Sequence, residues 1–178
     1  MRCVIVAVVI GSLCAIGSGQ VALNSCPDNE AFPHNGFYYQ FFDCPTTWAK
    51  AEATCRNSMI VNGRRVSGGN LVSILDEREG RWLAEHIELR YGSPVGVWLG
   101  IKRSPSASCN DISRMRWTDG NFVTYSKFDT DQPNCRWPNE DCMHLITYDT
   151  WNDAECEANM RYVCKIKLPR GPAFDISG

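Results

Sequence analysis

Side chains that carry oxygen dominate one stretch of the 178-residue sequence, residues 125–141. The stretch contains Asp129, Asp131, Gln132, Asn134, Asn139, Glu140 and Asp141. A second polar cluster, Trp151-Asn152-Asp153, follows ten residues later. Carboxylate and amide oxygens without histidine or thiolate partners are the ligands that a hard cation such as calcium prefers. The pattern therefore indicates a calcium site on a long loop, and such loops in compact domains are usually functional or disordered.

The elements that position this loop follow from capping signals and hydrophobic patterning. Thr46 or Thr47 can cap a first helix, in which apolar residues recur on one face. Asp76 opens a second helix, with Glu79 three residues on in a capping-box-like arrangement. Strands are predicted at 37–42, 95–101, 115–117, 142–148 and 161–166. Because the helices come early and the strands late, an α+β fold is favoured over a doubly wound sheet.

The two ends and one internal stretch differ from these elements. Residues 1–19 have the pattern of a signal peptide: Arg2 supplies the positive charge, an apolar run follows, and glycines precede a cleavage site before Gln20. Residues 57–70 are polar and contain glycine, which predicts a loop. Residues 169–178 are predicted to form a flexible tail. The domain itself is expected to occupy residues 20–168.

Removal of the signal peptide leaves eight of the ten cysteines, an even number. They are Cys26, Cys44, Cys55, Cys109, Cys135, Cys142, Cys156 and Cys164. In the oxidising environment outside the cell, an even set favours disulfides over metal thiolates. Spacing alone leaves about 105 pairings open. The composition therefore indicates a secreted, disulfide-bonded domain.

Several function classes are disfavoured. Hydrophobic residues make up 44% and charged residues 21% of the chain, and the net charge of −2 gives no broad electrostatic case for nucleic acid. No apolar run reaches the roughly 18 residues that a membrane-spanning helix needs. The sequence has no zinc-protease motif, nucleophile elbow or phosphate loop, so enzyme activity is not expected.

An ordered set of short motifs resembles the C-type lectin-like domain family across nearly all of residues 26–168. The motifs are Trp48-Ala49-Lys50-Ala51-Glu52, Gly69-Asn70-Leu71-Val72-Ser73-Ile74, Val97-Trp98-Leu99-Gly100-Ile101, Trp117-Thr118-Asp119-Gly120, Gln132-Pro133-Asn134, Glu140-Asp141-Cys142, Trp151-Asn152-Asp153 and Tyr162-Val163-Cys164. The resemblance implies an α+β domain with two helices, two small antiparallel sheets and a long calcium-binding loop.

The resemblance also implies the disulfides Cys55–Cys164 and Cys142–Cys156. The first would join the first helix to the last strand, and the second would hold the calcium loop against the strand behind it. For the other four cysteines, the pairings Cys26–Cys44 and Cys109–Cys135 are expected. A bond between two chains through one of them is the alternative.

The family's calcium and sugar positions correspond to six residues here. The resemblance implies that Gln132, Asn134, Glu140, Asn152 and Asp153 bind calcium. It also implies that Gln132, Asn134, Trp137, Glu140 and Asn152 contact sugar, and that the Gln132–Pro133 bond is cis. A second calcium site is expected to be absent or poor, because Cys135 occupies one of its ligand positions.

The Gln132-Pro133-Asn134 triplet is a hybrid of the family's two common versions, so the choice between mannose-type and galactose-type sugars stays open. Trp137 can either stack on a sugar or pack on the domain. Two functions follow from the resemblance. One is a secreted calcium-dependent lectin, a possible homo-oligomer acting in innate defence on microbial or host glycans. The other is a non-sugar structural or protein-binding member, associated for example with matrix or mineral.

Overall fold

The structure is a computed structural model that describes residues 31–92, 96–104, 107–137, 139–146 and 149–168. The expected signal peptide, Cys26 and the expected tail lie outside the described residues. Two helices are present, α1 (Trp48–Asn57) and α2 (Glu77–Tyr91). Neither helix of the described part is long and apolar enough to cross a membrane.

Most strands of the described residues belong to one seven-stranded sheet. The strands are β1 (Phe32–His34), β2 (Phe37–Thr46), β3 (Met59–Val61), β4 (Arg64–Val66), β5 (Asn70–Leu71), β6 (Val97–Lys102), β7 (Cys142–Leu145), β8 (Trp151–Ala154) and β9 (Met160–Ile166). The main path runs β1-β2-β9-β6-β7-β8, and β5 also pairs with β9. Strands β3 and β4 form a separate hairpin. The α+β class is therefore confirmed.

One detail of the expected sheets changes. The resemblance implied two small antiparallel sheets, but β6 pairs with β9 in parallel while its other neighbour, β7, is antiparallel. This parallel contact joins β1, β2 and β9 to β6, β7 and β8, so the two groups of strands form one sheet. Parallel pairing needs a long crossover connection, and the chain between β6 and β9 is long enough to supply it.

Two other expectations were wrong in part. The predicted loop at 57–70 contains the hairpin of β3 and β4, which turns at Asn62-Gly63 with both residues at positive φ. Asn-Gly is the strongest short hairpin signal, so the sequence did contain the clue. The predicted strand at 115–117 contributes only isolated bridges, in which Trp117 pairs with Ile101 and Arg116 pairs with Phe122.

Helix α1 is fastened to the sheet by covalent and polar contacts. The Cys55–Cys164 disulfide joins the helix to β9, as the resemblance implies. The indole Nε1 of Trp48 donates to the Leu99 carbonyl at 2.8 Å. Cys55, Cys164 and Leu99 are fully buried, so the bond lies inside the hydrophobic core. The helix is thus fixed against the centre of the sheet.

Helix α2 is capped by Asp76, whose Oδ1 accepts from the Glu79 backbone N–H at 2.9 Å. Glu79 itself is buried and serves the core. Its carboxylate accepts from the Leu75 N–H, the Tyr39 hydroxyl and the Lys165 ammonium. Burial, followed by the nearby Glu79 charge, raises the pKa of Tyr39. The expected cap is therefore present, and Glu79, three residues after Asp76, also ties α2 to β2 and β9.

This buried ion pair gives a stability prediction. Lys165→Met leaves the Glu79 carboxylate buried without its counter-charge, because both side chains are at least nine-tenths buried. We expect the free energy of unfolding to fall by about 3 kcal/mol in urea denaturation. The matched control is Arg81→Met, which breaks the exposed Arg81–Glu77 pair and should cost less than about 1 kcal/mol. Equal losses in the two variants would contradict the assignment of a buried charge network.

Candidate functional site

The long loop is attached to β8 through the backbone and through an aromatic cluster. The Trp151 N–H donates to the Lys127 carbonyl at 2.8 Å, and the Asp129 N–H donates to the Trp151 carbonyl at 2.9 Å. The buried Trp151 ring is in edge contact with Tyr125 and Phe128, at 5.9 and 5.5 Å between ring centroids. The first half of the loop is thereby fixed along the edge of the sheet.

The second half of the loop is held by one carboxylate. We call residues 132–137 the triplet loop. Asp153 is only 1% exposed, and its Oδ1 accepts from the Asn134 N–H at 3.2 Å while Oδ2 accepts from the Cys135 N–H at 2.7 Å. The Gln132–Pro133 bond is cis, as the resemblance implies. The structure therefore brings Asp153 and the triplet loop together.

Two further candidate ligands are oriented by backbone N–H groups of the same loop. Asn134 Oδ1 accepts from the Arg136 N–H at 2.8 Å. Glu140 Oε2 accepts from the Trp137 N–H at 3.0 Å. These bonds set the direction of the two side chains before any ligand is present. Each oxygen retains a further lone pair, so the contacts do not prevent ligand binding.

Gln132 is the other candidate ligand of the triplet loop. Its Oε1 is buried and has no hydrogen-bond partner among the described residues. Leaving a buried acceptor unsatisfied costs about 1–3 kcal/mol, and such a group calls for an explanation such as a ligand. With the carboxylates of Glu140 and Asp153 and the amide of Asn134, the donor set is all oxygen. These residues fit a hard cation such as calcium.

Asn152 occupies the other face of β8. Successive residues of a strand point to opposite faces, and Asn152 pairs across the sheet with His144. Its Nδ2 lies 3.2 Å from His144 Nε2. No hydrogen bond within the described part of the chain joins the Asn152 side chain to the triplet loop. The contact uses the nitrogen end of the amide and leaves its carbonyl end for a ligand.

His144 is a site neighbour that the sequence analysis did not identify. It is buried in β7, and its ring meets the edge of Trp98 at 6.2 Å between centroids. Burial lowers its pKa from 6.5 to about 4, although the nearby Asp153 charge opposes the shift. The sequence shows His144 two residues after Cys142 in a predicted strand. It does not show that Asn152 lies opposite His144, because that pairing depends on the register of β7 and β8.

A cysteine pair lies against Asp153. Cys109 and Cys135 form a disulfide, and their sulfurs lie within 4.8 Å of each other and of an Asp153 carboxylate oxygen. Because both sulfurs are bonded to each other, neither is available as a thiolate, and the group is not a thiolate metal centre. The third observed bridge, Cys142–Cys156, joins β7 to the residues after β8, as expected.

The residues considered for a second calcium site have other partners. Asp141 forms an ion pair with Arg103. Cys135, which occupies another of those ligand positions, is in the disulfide described above. Both residues are therefore committed to contacts within the chain.

The sequence leaves open whether Trp137 stacks on a sugar or packs on the domain. Its side chain is 59% exposed, so it does not pack on the domain. The Arg136 guanidinium lies 5.9 Å from the ring centroid. The Trp137 ring is therefore exposed in the triplet loop, and the backbone N–H of the same residue contacts Glu140.

Residues 45–166 match the family described as Lectin C-type domain. This match covers more than half of the chain, so the protein belongs to the C-type lectin domain family. Its relatives among the C-type lectins and lithostathines are binding proteins and not enzymes.

Named relatives agree with this assignment. A C-type lectin of Micrurus corallinus is 34% identical over 140 residues, covering 75% of this chain and 79% of that protein. The C-type lectin TsL of Trimeresurus stejnegeri is 31% identical over 150 residues, covering 83% of this chain and 87% of that protein. The structure of human lithostathine superposes with a TM-score of 0.65 at 28% identity, covering 80% of this chain and all of that one.

The neutral, buried His144 gives a prediction for acid stability. The unfolded chain takes up a proton below pH 6.5, whereas the folded chain does so only near pH 4. Stability from this group is therefore present above 6.5 and lost as the pH falls toward 4. Between pH 7 and 4.5 we expect a loss of about 2 kcal/mol from His144 alone.

The measurement is urea unfolding in chelator at both pH values for the wild type and His144→Gln. Glutamine keeps a polar partner for Asn152 but does not titrate, so the variant should lose roughly 2 kcal/mol less on acidification than the wild type. Parallel losses in the two proteins would show that His144 is not the group responsible.

Proposed function

We propose that the protein is a calcium-dependent carbohydrate-binding lectin that acts outside the cell on microbial or host glycans. The observation that carries the proposal is the buried Gln132 oxygen, which has no hydrogen-bond partner among the described residues and belongs to a set of candidate ligands that all offer oxygen. Calcium, when bound, supplies coordination positions at which two neighbouring sugar hydroxyls replace water. The candidate ligands are Gln132, Asn134, Glu140, Asn152 and Asp153.

The chain's own residues supply the recognition of the hydroxyl groups. The Gln132 and Asn134 amides can donate N–H groups to hydroxyl oxygens, and the Glu140 carboxylate can accept a hydroxyl proton. The exposed Trp137 ring can stack on the apolar face of a sugar. Because the same side chains serve the cation and the sugar, sugar binding should require calcium.

The two amides in the triplet set the selectivity question. A carboxylate at position 132 or 134 would give one sugar hydroxyl a strong proton acceptor. Here both positions carry amides, and among the candidate ligands the nearest carboxylate in the sequence is that of Glu140. Competition by mannose, fucose, galactose and N-acetylgalactosamine in calcium would therefore decide between the mannose and galactose classes.

The extracellular setting is part of the proposal. The bridges Cys55–Cys164, Cys109–Cys135 and Cys142–Cys156 support an oxidising compartment. Residues 1–19 are proposed as the signal peptide and 20–168 as the carbohydrate-recognition domain. Clustering of weak sites in a homo-oligomer would raise the avidity for surfaces that carry many glycans.

A non-sugar role is the second candidate, and one observation favours it. Asp153, Asn134 and Glu140 each accept a backbone N–H from the triplet loop. The loop can therefore hold its shape without a ligand, as a structural or protein-binding surface requires. Matrix or mineral contact is the kind of function that this would serve.

A glycan array separates the two candidates. We expect binding to a defined set of sugars in millimolar calcium and loss of that binding in chelator. Glu140→Gln serves as the matched variant, because it removes one charge while keeping the side-chain shape, and it should weaken sugar and calcium binding together. Absence of sugar binding in calcium would favour the structural role.

The charge of the ligand set predicts calcium affinity. Only Glu140 and Asp153 carry formal negative charge, so the dissociation constant should lie roughly at 10⁻⁴–10⁻³ M. Gln132→Glu adds a third carboxylate and should tighten calcium binding about tenfold, measured by calorimetry.

The control is Thr130→Glu, which adds the same charge at an exposed position two residues away. It should change the affinity by less than Gln132→Glu, because an exposed charge is screened. Equal affinity of the wild type and Gln132→Glu for calcium would count against Gln132 as a ligand position.

A further inference from the structure

Two independent attachments converge on adjacent residues of the triplet loop. The Cys109–Cys135 disulfide joins the loop to a segment 26 residues earlier in the chain. The Asp153 carboxylate accepts from the N–H groups of Asn134 and Cys135, at 3.2 and 2.7 Å. Cys135 is thus held both through its side chain and through its backbone.

The disulfide limits the open states of the loop. A cross-link that closes a loop removes chain entropy from the alternatives in which that loop is released. Here the closed segment, residues 109–135, contains the first half of the candidate calcium loop as well as Gln132 and Asn134. Those two side chains therefore stay near Cys109, whose sulfur lies 3.8 Å from Asp153 Oδ2 of β8, even when other contacts break.

Asp153 provides the second attachment of the triplet loop, through hydrogen bonds to its carboxylate. A buried carboxylate is costly unless it receives hydrogen bonds, and the two loop N–H groups provide them. Asp153 therefore stabilises the folded loop, and the folded loop supplies the hydrogen bonds that the buried Asp153 carboxylate needs. Neither half of this mutual support needs a cation.

We propose that Cys109 and Cys135 are positioning residues, whose bridge holds the triplet loop in its binding shape before a divalent cation arrives. The inference rests on the proposed function for its ligand. It predicts that the bridge increases the affinity for calcium without changing the number of sites or the sugar preference. The loop of the bridged protein remains ordered in chelator.

The experiment compares the wild type with the double variant Cys109→Ser/Cys135→Ser, which leaves no unpaired thiol. Hydrogen exchange is measured in chelator on peptides that cover residues 126–141. The variant's loop amides should exchange roughly tenfold faster than those of the wild type. Peptides from α1 and β9, which are joined by Cys55–Cys164, should not change and act as the internal control.

Calcium titration then distinguishes positioning from general damage. The variant should bind calcium roughly tenfold more weakly. At saturating calcium it should regain the wild-type loop protection, stoichiometry and sugar selectivity. A variant that merely lost stability would instead show faster exchange in α1 and β9 as well, and that result would overturn the proposal.

A second route covers a double variant that fails to fold. Cys109 and Cys135 are partly exposed, whereas Cys55 and Cys164 are fully buried, so mild reduction and alkylation of the wild type should open the Cys109–Cys135 bridge before the Cys55–Cys164 bridge. Mass spectrometry verifies which bridge has opened before the exchange measurement. Unchanged exchange of residues 126–141 after this opening would overturn the proposal.

The outcome is separable from that of the proposed function. If the wild type binds no calcium, the proposed function fails, yet the exchange of the loop in chelator still tests whether the bridge holds it. If the wild type binds calcium and the loop exchanges equally with and without the bridge, the proposed function stands and this inference fails.

Discussion

An irregular loop keeps a single shape only when its backbone polar groups find partners elsewhere. In this domain one short strand supplies those partners for the candidate site. Trp151 of β8 holds the first half of the loop through Lys127 and Asp129, and Asp153 holds the triplet loop. The site therefore depends on how firmly β8 is attached to β7, where four residue pairs and the Cys142–Cys156 bridge provide the connection.

The same constraint explains why Asp153 can serve two purposes. A carboxylate buried at the edge of a sheet requires donors, and the two N–H groups of the triplet loop satisfy it without any metal. A cation adds to this arrangement through lone pairs that the N–H groups leave available. In the proposed calcium site the amides of Gln132 and Asn134 would add oxygen ligands but no charge, which would reduce both the repulsion within the loop and the attraction for a divalent ion. Under the proposed function the loop would therefore tolerate loss of the ion at the expense of affinity for it.

Local signals predicted the two helices and the α+β class, and the family resemblance supplied the residues of the candidate site. The Asp76 cap, for example, follows from short-range patterning, and the structure contains it. Long-range partners were harder to predict. The parallel contact of β6 with β9, and the pairing of His144 with Asn152, depend on strand order and register, which hydrophobic patterning does not specify. The missed hairpin at Asn62-Gly63 differs, because its turn signal was present in a stretch that was otherwise too polar to suggest strands.

Side chains alternate between the two faces of β8, and this alternation limits how the neighbours Asn152 and Asp153 could bind one ligand. They point to opposite faces, and Asn152 contacts His144 while Asp153 contacts the triplet loop. In a central strand a neighbour on each side would keep such residues apart. Strand β8 is the last in the sheet, and beyond the Phe128–Trp151 bridge no further strand of the described residues covers its outer side. An edge position is therefore what makes the two neighbours compatible with one cation, because that ligand can approach the strand from the side and meet groups from both faces.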